Sequence, residues 1–242
     1  MKNNHYTLTA VVPFFNEEQT IMESVKNLEK ITIISEIILI DDCSSDSSPY
    51  KAKVLANTYD KVTYLRLKKN RGKGGAVLSA INSISSSHVV IHDADLEYNP
   101  NDIVKMFDSL KNIDTFVIGS RYLENKKMRL ENMSFMLNFI EISSTKLFNN
   151  LFGTKLTDIG SCYKLIPHQF LATNNFLETG FHTELEILAK FIQKGGFVTE
   201  TPISYTGRKS ADGKKNGVLI MIKFFLKIFK LKYKKNNFIF LI

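Results

Sequence analysis

The chain has 242 residues, 44% of them hydrophobic and 23% charged, with a formal net charge of +8. Such a balance excludes a disordered chain and leaves room for one large domain or two small ones. Two cysteines without ligand-like spacing, Cys43 and Cys162, speak against a disulfide framework or a cysteine-based zinc site and fit a reducing compartment.

In chain order the first element is "LTAVV" (8–12), an apolar run of strand length that ends at the acids of "PFFNEE". It is too short for a secretory signal, so the protein is expected in the cytoplasm. A helical pattern near 17–29 follows, then a strand in "EIILI" (36–40) and a helix near 47–58, which Asp46 or Ser47 is expected to cap. The next strand is "VTYLRL" (62–67), followed by the helical "GGAVLSAINSI". "VVI" (89–91) is a fourth strand, with a helix starting around Pro100, and "TFVI" (115–118) a fifth. Beyond it the pattern is less regular, with helices near 134–152 and 182–194 and short strands near 161–166 and 197–204. Repeated strand and helix imply right-handed crossovers and an α/β fold: a mostly parallel central sheet with helices on both faces.

The four loops after the first four strands are "PFFNEE", "DDCSSDSS", "KKNRGKGG" and "DADLEY". Ligands of open parallel sheets bind outside the carboxyl ends of the strands, so acids, glycines and lysines collected there read as a site. In "NRGKGGA" (70–76) the glycines would let backbone N–H groups approach an anion, with Arg71 and Lys73 adding positive charge; a solvated glycine-rich turn is the alternative. The loop is neither a P-loop nor the GxGxxG dinucleotide fingerprint. Asp93, Asp95 and Glu97 alternate at period 2, which would place three carboxylates on one side of an extended chain. Such hard oxygen donors suit Mg²⁺ or Mn²⁺. A solvated acidic turn is the alternative, and it sits poorly after a buried strand and opposite a glycine-lysine loop.

"VVPFFNEE", "IILIDDCSSDSS", "NRGKGGA" and "IHDADLE", in this order and spacing, resemble the signatures of family 2 glycosyltransferases. The likeness is greatest to the dolichyl- or polyprenyl-phosphate mannose and glucose synthases. "GSRY" (119–122), "TDIGSCYKLI" (157–166), "FHTELEILAK" (181–190) and "PISYTGRKSADGKK" (202–215) agree with it. The resemblance implies the A-type, Rossmann-like glycosyltransferase fold over residues 1–217, with a nucleotide and metal half up to about 120 and an acceptor half from about 121. It implies that Pro13, Glu17, Asp41 and Asp42 line the nucleoside pocket with Lys73 near its edge. Asp93 and Asp95 would be the D-x-D pair meeting metal and diphosphate. Glu97 stands where the mannose synthases usually carry Gln, which puts its metal role in doubt. Arg121 and Arg208 would meet phosphates, helped by Arg129 and Lys214, for which surface basic residues are the alternative.

The activity so implied is metal-dependent transfer of a hexose from a nucleotide-diphosphate sugar, GDP-mannose or UDP-glucose in type, with inversion at the anomeric carbon. A lipid monophosphate acceptor is already anionic and needs arginine to hold it, as Arg121 could. A hydroxyl acceptor, for surface polysaccharide or glycolipid, needs a general base, and Asp158 is the candidate by family position. Asp95, Arg121 and Asp158 are therefore the expected catalytic groups. The choice of acceptor stays open, leaning to the polyprenyl or dolichyl phosphate.

The last segment, 218–242, is expected to be a basic amphipathic tail. From Arg208 onward there are ten Lys/Arg and one acid, Asp212, while residues 1–207 carry 22 basic and 23 acidic side chains, so the whole positive excess lies in the last 35 residues. Lysines interrupt "GVLIMIKFFLKIFKLKYKK" too often for a spanning segment. Lys223, Lys227, Lys230 and Lys234 share one helical face, which predicts a helix in the membrane interface; packing on the protein's own core is the alternative. The expected place is the inner face of the cell membrane. No nucleic-acid partner is expected, because that would leave four acid- and glycine-rich loops unexplained.

Overall fold

Strands that read as continuous apolar runs, rather than alternating ones, need cover on both faces. In the computed structural model, which describes residues 6–124, 130, 133, 135–207 and 218–233, β1 (Leu8–Phe14) is buried along its whole length. β2 (Ile34–Asp41) is buried from Ile37 onward. Among the described residues seven strands form one sheet in the order β3-β2-β1-β4-β6-β5-β7, with β3 at Val62–Arg66, β4 at His88–Ile91, β5 at Phe116–Ser120, β6 at Lys164–Pro167 and β7 at Val198–Pro202. Every pairing is parallel except those of β6, which runs antiparallel to both β4 and β5.

This order positions the site. From β1 the chain builds outward through α1 (Ile21–Glu29), β2 and α2 (Ser48–Thr58) to β3. It then crosses back through α3 (Gly72–Ser79) to lay β4 on the other side of β1. The reversal between β1 and β4 opens a crevice at their carboxyl ends. β6 matters for the same reason. Because it runs antiparallel, the residues that precede it, Asp158–Tyr163, lie at the edge where the parallel strands end.

Local sequence explains most elements. Ile21, Val25 and Leu28 form the buried stripe of α1, at spacings that bring them onto one face. The expected start near 17 is four residues early, because Glu17 O accepts the N–H groups of Thr20 and Ile21 in a turn that precedes the helix. Ser47 stands at the N-cap position of α2 without bonding through its side chain, while Asp46 accepts the Ser48 N–H (3.0 Å) and the Glu18 N–H (3.0 Å). The helix expected over "GGAVLSAINSI" starts earlier, at Gly72, and breaks into a 3₁₀ turn at Ile81–Ser83. α4 (Asp102–Asp108) begins two residues after Pro100. α5 (Phe135–Phe152) and α7 (Thr183–Gln193) lie where expected, and the five-residue α6 (His168–Ala172) is too short to have left a periodic signal.

α8 (Val218–Tyr233) departs most from expectation. It packs against α5 and α7, with Ile228 fully buried in the core and Phe224 and Leu231 against it. Gln193 Nε2 donates to Leu231 O (3.3 Å), and Lys232 Nζ lies 5.3 Å from the centre of the Phe152 ring. The lysine stripe is therefore split. Lys223 and Lys230 are exposed, but Lys227 turns inward to an ion pair with Glu178; Lys234 lies outside the described residues. The face bearing Ile228 is thus committed to the protein's own core. No helix among the described residues is long and apolar enough to cross a membrane.

Candidate active site

A cavity of about 340 Å³ opens at the carboxyl edge of the sheet. Of the residues singled out by sequence, Pro13, Glu17, Asp42, Lys73, Asp93, Asp95, Glu97 and Arg121 line it together. Asp41 and Asp158 do not line it but stand directly behind residues that do. Arg129, Arg208 and Lys214 lie outside the described residues.

On the nucleotide side, Asp41 is fully buried and organises loops. It accepts the Ser44 N–H (2.7 Å) and the Tyr64 hydroxyl (2.9 Å) and pairs with Arg66 (3.3 Å). Burial, then that hydrogen bond, push the Tyr64 phenol up to about 12. Asp42 reaches the cavity while its two oxygens accept the backbone N–H groups of Arg71 (2.7 Å) and Gly72 (2.8 Å). Burial pushes its carboxyl up, against the pull of those two bonds.

The glycine loop is used differently from the anion cradle expected. The N–H groups of Arg71 and Gly72 are spent on Asp42, and that of Gly75 on Thr179 O (2.7 Å). Gly72 has φ +75°, and a Cβ on Gly74 would fall onto the Thr183 side chain and 2.7 Å from Gly180 O. Here the glycines chiefly let α3 approach the start of α7. That need is tertiary, so spacing alone could not reveal it. Three non-glycine residues with positive φ, Asn16, Cys43 and Leu96, follow β1, β2 and β4 in turn. Left-handed backbone of this kind gathers where a structure over-determines it, as at binding sites.

The acid triplet does not lie on an extended strand. β4 ends at Ile91, and 93–97 form a turn with Leu96 at φ +63°. Asp95 Oδ1 accepts the Glu97 N–H (3.2 Å), the bond an Asp makes when it starts a turn. Each acid consequently faces a different neighbour. Asp93 binds Lys73 Nζ through both oxygens (2.8 and 3.0 Å). Glu97 accepts the Tyr205 hydroxyl (2.7 Å). Among the described residues no three of His, Cys, Asp and Glu gather as a ready-made metal cage.

Lys73 also pairs with Glu184 (2.8 Å) and donates to Cys162 Sγ (3.0 Å). Glu184 in turn pairs with Lys164 (3.2 Å). Burial opposes charge on Lys73 and Asp93 alike, yet their contact wins: the ammonium is held well above its ordinary range and the carboxyl below. Arg121, 7% exposed, gives its backbone N–H (3.0 Å), Nε (2.7 Å) and Nη2 (2.8 Å) to Asp158, and Nη2 again to Glu141 (2.6 Å). Its guanidinium lies 5.2 Å from the centre of the Tyr205 ring. Sequence reasoning passed over Glu141, Lys164, Glu184 and Tyr205. Three of the four stand in or beside motifs that it did quote, but their part depends on which strand each reaches.

The family model "Glycosyl transferase family 2" matches residues 9–173, more than half of the chain. The chain belongs to that family. Among relatives of this family 2 glycosyltransferase, a dolichol-phosphate mannosyltransferase of Pyrococcus furiosus is 27% identical over 88% of the chain, which spans only 60% of that protein's length. A dolichol-phosphate mannosyltransferase of Saccharomyces cerevisiae is 25% identical over 96% of the chain and 90% of its own length. A dolichyl-phosphate beta-glucosyltransferase of the same yeast is 27% identical over 88% of the chain and 70% of its own. Glucosyl-3-phosphoglycerate synthase from Mycobacterium tuberculosis, in complex with uridine diphosphate, superposes with a TM-score of 0.71 over 95% of the chain and 79% of its own, at 14% identity. The seven-stranded, mostly parallel sheet is thus the A-type glycosyltransferase fold.

Proposed function

We propose that this transferase moves a hexose from a nucleotide-diphosphate sugar, GDP-mannose or UDP-glucose in type, to a polyprenyl or dolichyl phosphate, with inversion. The observation that carries the reading is one cavity joining Pro13, Glu17, Asp42, Lys73 and the two aspartates to a buried arginine beside the apolar Met133 and Leu137. Pro13, Glu17 and Asp42 bind the nucleoside. Lys73 counters the charge of the diphosphate as it departs. Arg121 receives the acceptor phosphate, whose oxygen attacks the anomeric carbon from the face opposite the leaving group. No proton need be removed from that oxygen. We assign Asp158 to orienting the guanidinium rather than to base catalysis, because it is 1% exposed and bonded to Arg121 three times over.

Asp93 and Asp95 present hard carboxylate oxygens at the cavity wall that would suit Mg²⁺ or Mn²⁺, with Asp93 giving up part of its pairing with Lys73 to do so. Glu97 stands near enough in sequence to join them, although its bond to Tyr205 competes. A divalent ion held by these residues would supply charge stabilisation for the leaving diphosphate. The glucosyl-3-phosphoglycerate synthase structures that contain Mn²⁺ and uridine diphosphate support divalent metal use in this fold.

The catalytic domain of this proposal is 1–217, with 218–242 as a membrane-contacting segment at the cytoplasmic face. Support comes from the outer side of α8, where Leu226, Phe229 and Tyr233 are exposed beside Lys223, Lys230 and Lys232. A hydroxyl acceptor is the second reading. Lys73, Lys164 and Arg121 are each already paired with carboxylates, so the cavity is less cationic than a phosphate site usually is. The deciding experiment incubates purified protein with Mg²⁺ or Mn²⁺, radiolabelled nucleotide sugars in turn, and a short polyprenyl phosphate. Label in the organic phase from one donor, abolished by EDTA, is expected. Metal-dependent donor hydrolysis with no lipid label would move the acceptor to a hydroxyl.

A further inference from the structure

Arg121 holds two carboxylates where one would neutralise it. The Arg121–Asp158–Glu141 cluster therefore carries one surplus negative charge inside the protein. The two acids are not held alike. Asp158 takes three N–H groups of Arg121, and its own loop is anchored from behind, where Glu200 accepts the N–H groups of Thr157 (2.9 Å) and Asp158 (3.0 Å). Glu141 takes a single bond from Nη2 (2.6 Å) and lines the cavity, one helical turn after the cavity-lining Leu137. Around Glu141 stand Arg121 and Tyr122 after β5, Asp158 before β6, Lys164 in β6 and Tyr205 after β7. Burial first, and Asp158 next, push its carboxyl up, against the pull of Arg121. Glu141 is thus the more exchangeable of the two partners, and it faces open space flanked by apolar side chains.

We propose that Glu141 holds the place of the acceptor's phosphate on Arg121 and thereby selects an anionic acceptor over a neutral alcohol. This rests on the phosphate-acceptor reading given above. An incoming phosphate monoester takes over the Nη2 donor, with the planar fork still fixed by Asp158. Glu141 then loses its cation and faces a second anion, so it takes up a proton. An alcohol has no charge with which to displace it.

The test is calorimetry on the full chain with geranyl monophosphate, run at one pH in two buffers of different ionisation enthalpy. The wild type is expected to take up about one proton more per ligand bound than Glu141→Gln. Glu141→Gln should bind about tenfold more tightly, the equivalent of roughly 1.4 kcal/mol, and Asp158→Asn more weakly than wild type. Should Glu141→Gln fail to fold, geranyl sulfate with the wild type carries the same test. That probe keeps its charge, so proton uptake must come from the protein, and none would overturn the inference. Binding of geranyl monophosphate with equal proton counts in wild type and Glu141→Gln overturns this inference and leaves the acceptor reading standing. No binding to either protein, with sugar still passed to an alcohol, overturns both. A Glu141-dependent uptake on adding a nucleoside diphosphate alone would assign the exchanged anion to the donor and overturn the acceptor assignment.

Discussion

Two residues next to each other, His92 and Asp93, show how one loop serves stability and chemistry by opposite means. His92 is 1% exposed and keeps its ring between Ser24 Oγ (3.0 Å) and the Tyr163 hydroxyl (2.8 Å). Burial holds it down to about 4. Its folded value lies below that of the unfolded chain, so the folded state favours the neutral ring. Stability from this group is complete above about pH 6.5 and is lost as the pH falls towards 4, by up to about 3 kcal/mol. Denaturant titrations across that window should show a shallower acid slope in His92→Asn than in wild type. Asp93, by contrast, stays charged because Lys73 compensates it. Asp95 stands half-buried in the same turn, at the cavity wall. Asp95→Ala should lower turnover by about 10²–10³-fold, the scale of losing one charge-stabilising group, with an unchanged circular dichroism spectrum; full activity would remove Asp95 from the chemistry.

Among the elements, the contact between α3 and α7 couples the site to the fold. Lys73 sits in the first turn of α3 and Glu184 in the first turn of α7, so their ion pair needs both helices at one spacing. Gly74 sets it. Gly74→Ala should push the two helices apart and weaken that pair together with the Gly75–Thr179 bond. We expect a loss of about 1–3 kcal/mol, the cost of overpacking, and a raised KM for the donor; a variant matching wild type in both would show that the helices can shift freely. The glycine-lysine loop was conspicuous in the sequence, but its partner was not. Thr179, Gly180 and Thr183 lie over a hundred residues away, and no local pattern links them to Gly74.

For the whole molecule, α8 joins the catalytic edge to an outer surface. Phe224 lines the cavity and Ile228 enters the core, while Leu226, Phe229 and Tyr233 face outward with Lys223, Lys230 and Lys232. On α5, which α8 packs against, Phe135, Met136 and Phe139 are also exposed. If these groups meet a bilayer, sedimentation with vesicles containing anionic phosphatidylglycerol should carry the protein down at low salt. Adding salt should release part of it, because exposed charges are screened. Leu226→Glu with Phe229→Glu should abolish binding without lowering stability, since neither side chain is buried; retained binding would place the membrane contact elsewhere.

The sequence by itself determined the order of strands and helices and the four loops that carry Pro13, Glu17, Asp42, Lys73, Asp93 and Asp95. Strand length, apolar continuity and loop chemistry are local properties that survive without a partner. Only the tertiary structure decided the rest. It set β6 antiparallel, which brings Asp158 and Cys162 to the cavity edge, and it ended β4 at Ile91 so that the acid triplet turns instead of lining a strand. It also laid α8 on α5 and α7, and put Glu184 against Lys73 and Glu141 against Arg121, cations from distant segments. Those outcomes depend on which surfaces meet and which buried charges must be compensated, and such pairings are fixed by packing between segments far apart in the chain.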